Sequence, residues 1–200
     1  MDVRTSFVLT ALSFVFLSSL ATAQDFLSGK WEVGAYIGGS TITDEIAAEN
    51  FIEDTTFHIG GFADFDFGYV IASIGLDYLR YDDNASFSQM TINDDGDIEA
   101  SDSSADALSF NLAVGPAWRE DEYGVLVYGQ LGYGVVFNSE RSINFCDTCV
   151  SEDIEVEGGV FGKLGAVKSF KRFSLGLHYI RYFGDEGLEN GFQFSVGTAY

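Results

Sequence analysis

An all-β fold, an eight-stranded antiparallel up-and-down transmembrane β-barrel, is indicated by three properties of the sequence. The 200 residues include 23 Gly, 19 Phe, 10 Tyr and one Pro, a composition that favours strands, because glycine destabilises a helix by about 1 kcal/mol per residue. Bulky apolar residues alternate with small or polar ones along eight segments, and a period of two is typical of strands. Short and long connections alternate between these segments, as in membrane-spanning barrels.

The charge balance excludes one class of function. The chain has 10 Lys and Arg against 31 Asp and Glu, a formal net charge of -21. Affinity for nucleic acid depends on clustered basic side chains, so no nucleic-acid partner is expected. Because 46% of the residues are hydrophobic, the chain is also too apolar to be a disordered acidic segment.

Residues 1–23 have the pattern of a cleaved signal peptide. Arg4 precedes an uncharged, apolar stretch over residues 5–20, and Ala21-Thr22-Ala23 matches the A-x-A cleavage site. No cluster of stop-transfer charges follows, so cleavage is favoured over a membrane anchor. We therefore predict an exported protein with a signal peptide at 1–23 and one β-barrel domain at 24–200.

The eight predicted strands follow one another to the C-terminus. They are residues 31–37, 57–65, 70–78, 108–118, 123–137, 156–166, 173–179 and 192–200. At about 10 residues, such a strand can cross a bilayer when it is tilted. Pro116 lies inside the fourth segment, and a closed barrel has no edge strand to accommodate a missing N–H, so we expect a bulge or a strand end there.

The connections predict how these strands are arranged. Short connections alternate along the chain with long ones, the short ones at residues 67–69, 120–122 and 171–172 and the long ones at residues 41–55, 82–105, 138–153 and 184–190. In an up-and-down meander, all the short turns then lie at one end of the barrel and all the long loops at the other. Both termini lie at the turn end.

The two faces of the strands differ in side-chain size. One face carries Phe, Leu, Val, Ile and Tyr, including Leu112 and Leu164, and the other carries mostly Gly, Ser and Ala. An eight-stranded barrel has room inside for modest side chains only, so we expect the bulky face to contact lipid. Aromatic residues near both ends of the strands fit the interfacial belts of a membrane barrel. A soluble, lipocalin-like carrier would have the opposite arrangement and is a secondary alternative.

Six charged residues share the face that is predicted to line the barrel interior. They are Glu32, Asp64, Asp77, Arg119, Glu157 and Lys163. Buried charges have to be paired or hydrated. Two interpretations stay open: an interior network of salt bridges and hydrogen bonds that fills the lumen, and a narrow, gated pore for small solutes.

The long connections carry most of the acidic residues, which predicts a solvated, self-repelling surface. A divalent-cation site is the alternative, because residues 93–97 resemble part of a calcium loop. The match is incomplete, since Thr91 stands where the first Asp belongs and Asp102 where a bidentate Glu belongs. The candidate ligands are Asn93, Asp95, Asp97 and Asp102.

The only two cysteines, Cys146 and Cys149, form a C-x-x-C motif in the third long connection. In an exported chain this motif favours a disulfide that clips the loop. Redox catalysis would need a thioredoxin-like βαβ context, which the pattern lacks.

Catalysis would require a nucleophile, a base and an orienting group within reach of one another. The only histidines, His58 and His178, lie on the inward face, and neither has a Ser two residues away on its own strand. We expect them to form interior hydrogen bonds, and we expect neither enzymatic activity nor a cofactor.

The end of the chain carries the most specific motif, in which Phe192, Phe194, Val196, Thr198 and Tyr200 alternate up to a terminal aromatic residue. Together with the strand pattern over 30–200, it resembles the small outer-membrane β-barrel superfamily of Gram-negative bacteria, which includes the membrane domain of outer-membrane protein A and the X-type, Ail-type and opacity-type proteins. The resemblance implies a location in the cell outer membrane and contact with outer-membrane lipid and lipopolysaccharide. It also implies that the barrel-assembly machinery recognises Phe192, Phe194, Val196 and Tyr200.

The resemblance implies an integral outer-membrane protein with acidic, surface-exposed loops and a structural or surface-interaction role. Divalent cations at the acidic loops are further expected partners. A narrow pore for small solutes is the main alternative function. Some barrels of this size acylate or deacylate lipid A, so a lipid A-modifying enzyme is a further alternative, beside the lipocalin-like carrier.

Overall fold

The computed structural model describes residues 30–92, 97–143, 149–184 and 187–199. The predicted signal peptide, Asn93, Asp95, Cys146 and Tyr200 therefore lie outside the described residues.

Ten strands and one short helix follow one another along the described chain. They are β1 (Lys30–Ile42), α1 (Asp44–Glu49), β2 (Ile52–Asp66), β3 (Val70–Asp83), β4 (Ser88–Ile92), β5 (Ile98–Glu120), β6 (Val125–Ile143), β7 (Ser151–Asp153), β8 (Gly159–Ser169), β9 (Ser174–Tyr182) and β10 (Leu188–Ala199). Among the described residues, no helix has the length and hydrophobicity required of a membrane-spanning segment.

Eight of these strands form a closed antiparallel up-and-down barrel, which confirms the predicted fold. β1, β2, β3, β5, β6, β8, β9 and β10 each pair with the next strand in this order. β10 in turn pairs with β1, where Val196 lies opposite Ala35. No strand of the barrel is therefore left with an open edge among the described residues.

The barrel wall continues into two of the long connections. β4 pairs with the outer part of β5, where Met90 lies opposite Ala100, and β7 pairs with the outer part of β6. Within residues 82–105, predicted to be a loop, β4 and the outer part of β5 thus form a strand pair that projects from the wall. Residues 41–55 contain α1, whose first turn carries Asp44 and Glu45, acidic residues that interact favourably with the helix dipole.

The faces of the strands are divided as the alternation predicts. Along β2, His58 and Asp64 are buried in the interior, whereas Phe57 and Ile59 are exposed on the outer face. Leu112 and Leu164 are likewise exposed on the outside. A continuous apolar surface therefore surrounds the barrel.

The interior contains larger side chains than expected, because inward glycines leave room for aromatic rings on neighbouring strands. A Cβ atom at Gly34 would lie 2.6 Å from the Phe62 ring, and one at Gly165 would overlap the Tyr128 ring. Phe62 and Tyr128 are both buried. The expectation that the interior holds only modest side chains is thus wrong: glycines and rings fill it together.

Pro116 neither ends its strand nor shifts its register, contrary to the prediction. β5 runs on to Glu120, and Pro116 lies opposite Val70, the first residue of β3. Because the N–H of Ala117 donates to the Tyr69 carbonyl on the β3 side, the nitrogen of Pro116 points toward β6. Pairing with β6 is interrupted there, between Val114 and Ala117, so the missing N–H falls in a local gap in the ladder.

Glu157 is the predicted lumen residue that the structure places elsewhere. β8 begins at Gly159 rather than at residue 156, and Gly159 has a φ of 154°. The alternation is broken at this point, so Glu157 is exposed while Val156 is buried. The assignment of Glu157 to the lumen is therefore wrong.

Candidate functional site

Asp77 is the centre of a hydrogen-bond network in the barrel interior. Its carboxylate, which is 2% exposed, accepts hydrogen bonds from Ser109 Oγ at 2.8 Å and from Asn111 Nδ2 at 2.6 Å. The Tyr36 hydroxyl is a third donor. A buried carboxylate with three donors is compensated without a salt bridge.

Register explains why Tyr36 reaches Asp77 from two strands away. Tyr36 lies opposite Gly60, and Gly60 lies opposite Asp77. A Cβ at Gly60 would lie 2.9 Å from the Tyr36 ring, so the phenol crosses the strand only because the intervening residue is glycine.

A glycine between two larger side chains also allows a second network, which lies nearer the turn end. Tyr128 lies opposite Gly165, which lies opposite His178. The Tyr128 hydroxyl is 2.8 Å from His178 Nδ1, and His178 Nε2 is 2.7 Å from Ser195 Oγ. All three side chains are buried.

Both histidines contact a serine, and neither contact was predicted from the sequence. His178 pairs with Ser195 on β10, and His58 Nε2 lies 2.6 Å from Ser40 Oγ on β1. Spacing along the sequence relates residues on one strand only, whereas these serines lie on neighbouring strands. All four residues are enclosed in the barrel interior, so the pairs have the chemistry of interior hydrogen bonds.

The remaining predicted lumen charges have different nearest partners. Arg119 pairs with Asp66, and Glu32 accepts a hydrogen bond from Ser174. The Lys163 ammonium lies 5.9 Å from the centre of the Tyr128 ring, within range of a cation–π interaction. Asp64 is buried, and within the described chain its Oδ1 has no hydrogen-bond partner.

Little empty space is left beside these groups. A cavity of about 30 Å³ is bordered by Lys163, Ser73, Asn111 and Gln193. A buried water needs about 10–15 Å³ of such volume and several polar partners. The cavity can hold a water molecule or two, and it is far smaller than a path for a hydrated solute.

The loop end of the barrel is covered by a layer of apolar side chains, here called the loop cap. Its members are Ile42, Ala47, Ile52, Ile154, Val156 and Leu188, all buried in one cluster with the upper interior of the barrel. They come from β1, α1, β2, the segment after β7, and β10. Residues from three of the four long connections and from the strand ends thus pack together over the barrel mouth.

A buried arginine ties the loop cap together. Arg141, which is 1% exposed, donates from Nε to both oxygens of Asp83 at 2.8 and 2.9 Å. Its Nη1 donates to Glu152 at 2.6 Å and its Nη2 to the carbonyl oxygen of Asn50 at 2.8 Å. These four residues, the Arg141 node, connect the ends of α1 and β3 to β6 and β7.

The electrostatics of the node favour a permanent charge. The hydrogen bond that Arg141 donates to Asp83 raises the pKa of the Arg141 guanidinium above its ordinary value, so the guanidinium stays charged over the accessible pH range. Sequence analysis did not single out Arg141, although it is the only basic residue between 138 and 157. A single basic residue among many carboxylates is the sequence feature that could have identified it.

The other predicted site residues are distributed as follows. Asp102 lies on β5 opposite Ser88, and no group of three or more His, Cys, Asp or Glu among the described residues is arranged to hold a metal ion. Cys149 is disulfide-bonded. Phe192, Phe194 and Val196 are exposed on the outer face of β10.

A closed barrel with an apolar outer surface and a filled interior defines an integral outer-membrane β-barrel protein. Residues 7–200 match the family of the outer membrane protein beta-barrel domain. The chain belongs to this family, and its location is the cell outer membrane.

Solved structures show the same fold. Ail, the attachment invasion locus protein of Yersinia pestis, is 14% identical in its complex with the heparin analogue sucrose octasulfate, with a TM-score of 0.54 over 87% of this chain and 100% of that chain. A second Ail structure has a TM-score of 0.51 at the same identity and coverage. Neisserial surface protein A is 11% identical over 86% of this chain and 98% of that chain, with a TM-score of 0.45. No curated protein matches the sequence.

Proposed function

We propose that this protein is a cell-surface interaction protein, whose acidic outer loops bind a cationic partner, and that it is not a pore. The observation that carries this proposal is the loop cap with its Arg141 node. A packed cap gives the loops a fixed shape, as a binding surface requires, and it covers the mouth through which a solute would pass.

The charge of the loops supports a cationic partner. In the first long connection Asp44, Glu45, Glu49, Glu53 and Asp54 are all exposed. Glu152, Asp153, Glu155 and Glu157 are exposed in and beside β7. Such a field attracts cations and repels polyanions. Ail binds a sulfated heparin analogue, and this chain's loops favour the opposite charge.

Exposed apolar side chains beyond the barrel also support a contact surface. The strand pair that projects from the wall carries three largely exposed apolar side chains, Met90 and Ile92 on β4 and Ile98 on β5. Apolar groups clustered outside a core mark interaction sites more often than isolated ones do.

The interior supports the choice of a surface role over catalysis or transport. The His–Ser pairs are enclosed in the barrel interior, so we propose no enzymatic activity. Outer-membrane lipid and lipopolysaccharide contact the apolar outer face. The assembly machinery reads the last strand, and divalent cations screen the acidic loops without a dedicated site.

The test is binding of two charged polymers to the mature protein in nanodiscs of zwitterionic lipid, where both ends of the barrel are accessible. Poly-lysine should bind and heparin should not. The triple variant Asp44→Asn, Glu45→Gln, Glu49→Gln should weaken poly-lysine binding about tenfold at low salt. The matched control is the triple variant Glu120→Gln, Asp121→Asn, Glu122→Gln at the turn end. It should leave the affinity for poly-lysine unchanged. Heparin binding as tight as poly-lysine binding, or no effect of the loop-end substitutions, would contradict the proposal.

A further inference from the structure

Phe51, between α1 and β2, combines an unusual backbone with an exposed ring. Its φ is 54°, and among the described residues only Phe51 and Asn138 are non-glycine residues with positive φ. Its side chain is 64% exposed. A bulky residue in the left-handed region persists only where its surroundings determine the conformation, and such residues concentrate at functional sites.

Hydrogen bonds fix the chain on both sides of Phe51. The Asn50 side chain donates to the Ile46 carbonyl at 2.9 Å and accepts from the Glu155 N–H at 2.8 Å. Arg141 donates to the Asn50 carbonyl, and the Asn84 N–H donates to the Phe51 carbonyl at 3.0 Å. The backbone that carries the exposed ring is therefore fixed at this corner.

The residue that follows completes this anchoring. Ile52 is 4% exposed and belongs to the loop cap, so the chain enters the packed layer directly after Phe51. A backbone that is already fixed loses little freedom when a partner binds, which favours affinity.

The connection that carries this ring is rich in exposed carboxylates. The five exposed acidic residues of the first long connection lie within seven positions of Phe51, and the sequence has no Lys or Arg between Lys30 and Arg80. Five residues, two of them the exposed carboxylates Glu53 and Asp54, separate Phe51 from Phe57 on the lipid-facing surface. The ring therefore projects into water within a negative field, and it does not enter the bilayer.

From this arrangement we infer that Phe51 is the apolar anchor of a docking site for a cationic amphipathic polypeptide segment. An apolar side chain of the partner packs on the ring. Its basic side chains pair with the carboxylates of the same connection. This inference rests on the proposed surface-interaction function and names the residue and the partner chemistry.

Two synthetic peptides of equal length and charge serve as probes, one alternating Lys with Leu and the other alternating Lys with Ser. They are titrated against the mature protein in zwitterionic nanodiscs. The Lys–Leu peptide should bind more tightly than the Lys–Ser peptide. Phe51→Ala should weaken Lys–Leu binding about tenfold or more, the range expected from loss of one buried aromatic contact, and should leave Lys–Ser binding unchanged.

Three further variants make the result specific. Phe67→Ala removes an exposed phenylalanine at the turn end and should change neither affinity. Phe51→Trp keeps an aromatic anchor and should retain the preference for Lys–Leu. Phe51→Gly accommodates the positive φ and should lose that preference even if Phe51→Ala fails to fold.

The outcomes separate the two proposals. If the Phe51 variants bind the Lys–Leu peptide as tightly as the unmodified protein does, the anchor is overturned while the acidic surface stands. If the unmodified protein binds neither peptide, the acidic surface itself is overturned, and the anchor with it.

Discussion

Arg141 on β6 holds Asp83 at the end of β3 through both carboxylate oxygens, at 2.8 and 2.9 Å from Nε. The two residues are 58 positions apart in sequence, and their contact lies beyond the lipid-facing part of the barrel. The same guanidinium also reaches Glu152 and the Asn50 carbonyl. One buried cation thus sets the relative positions of three loop regions.

Arg141→Met should therefore loosen the loops and leave the barrel intact. Removal of one partner of a buried ion pair costs about 3–5 kcal/mol, because the other charge is left uncompensated. We expect the loops to become sensitive to protease while the membrane-embedded strands stay protected. Limited proteolysis of the protein in nanodiscs measures this change.

Two variants show whether the effect arises from the ion pair. Arg181→Met removes an exposed arginine and should leave the cleavage rate unchanged. In the double variant Arg141→Met, Asp83→Leu no charge stays buried, so part of the protection should return. Equal sensitivity of the single and double variants would contradict this explanation.

Gly165→Ala should destabilise the barrel by about 1–3 kcal/mol, because the added methyl group displaces the Tyr128 ring and with it the hydrogen bond to His178. Gly129→Ala is the matched control, since a Cβ there meets only Leu164 Cδ2 at 3.4 Å. Urea-induced unfolding in lipid vesicles measures the stability of both variants. Equal unfolding midpoints for the two variants would show that Gly165 is not needed as a gap for the ring.

Leu112→Arg and Leu164→Arg should each lower the free energy of unfolding by about 2–4 kcal/mol if these positions lie near the bilayer midplane. Both side chains are exposed on the outer face, so the cost comes from lipid rather than from lost packing. Glu155→Arg, at an exposed loop position, is the control. Folding yield and unfolding in vesicles report the difference, and an unchanged stability at Leu112 would contradict the assigned face.

Phe51→Gly should stabilise the loop region by about 1 kcal/mol, because glycine adopts positive φ without the penalty that a side chain incurs. Hydrogen exchange of the Asn84 amide, which donates to the Phe51 carbonyl, should become slower. Phe67→Gly is the control. Because Phe67 has no positive φ, glycine should destabilise the turn that contains it. Faster exchange at Asn84 in Phe51→Gly would show that the ring itself stabilises the corner.

The strands were predictable from the sequence because each residue of a membrane barrel faces either lipid or the lumen. Alternation therefore appears directly in the order of residues, as in Phe57 to Asp66 of β2. The alternation failed as a guide only where the backbone leaves strand geometry, at Gly158 and Gly159, which is why Glu157 was assigned to the wrong environment.

The loop cap and the interior networks were not predictable in the same way. Ile52 and Ile154 are buried because they join one cluster with residues that are distant in sequence, so no local pattern marks them. The contacts of His58 with Ser40 and of His178 with Ser195 depend on strand register. A shift of a single residue would separate these pairs, and alternation alone does not fix the register.

The claim that the loop cap and the filled lumen close the barrel is tested most directly by single-channel recording. The mature protein, inserted into a planar bilayer, should give no discrete conductance steps, and Arg141→Met should add only brief, irregular ones because the interior networks persist. Steady openings of the unmodified protein that change in size with Lys163→Met or Asp77→Asn would contradict the account. They would make the lumen a conducting path and the interior charges its gate.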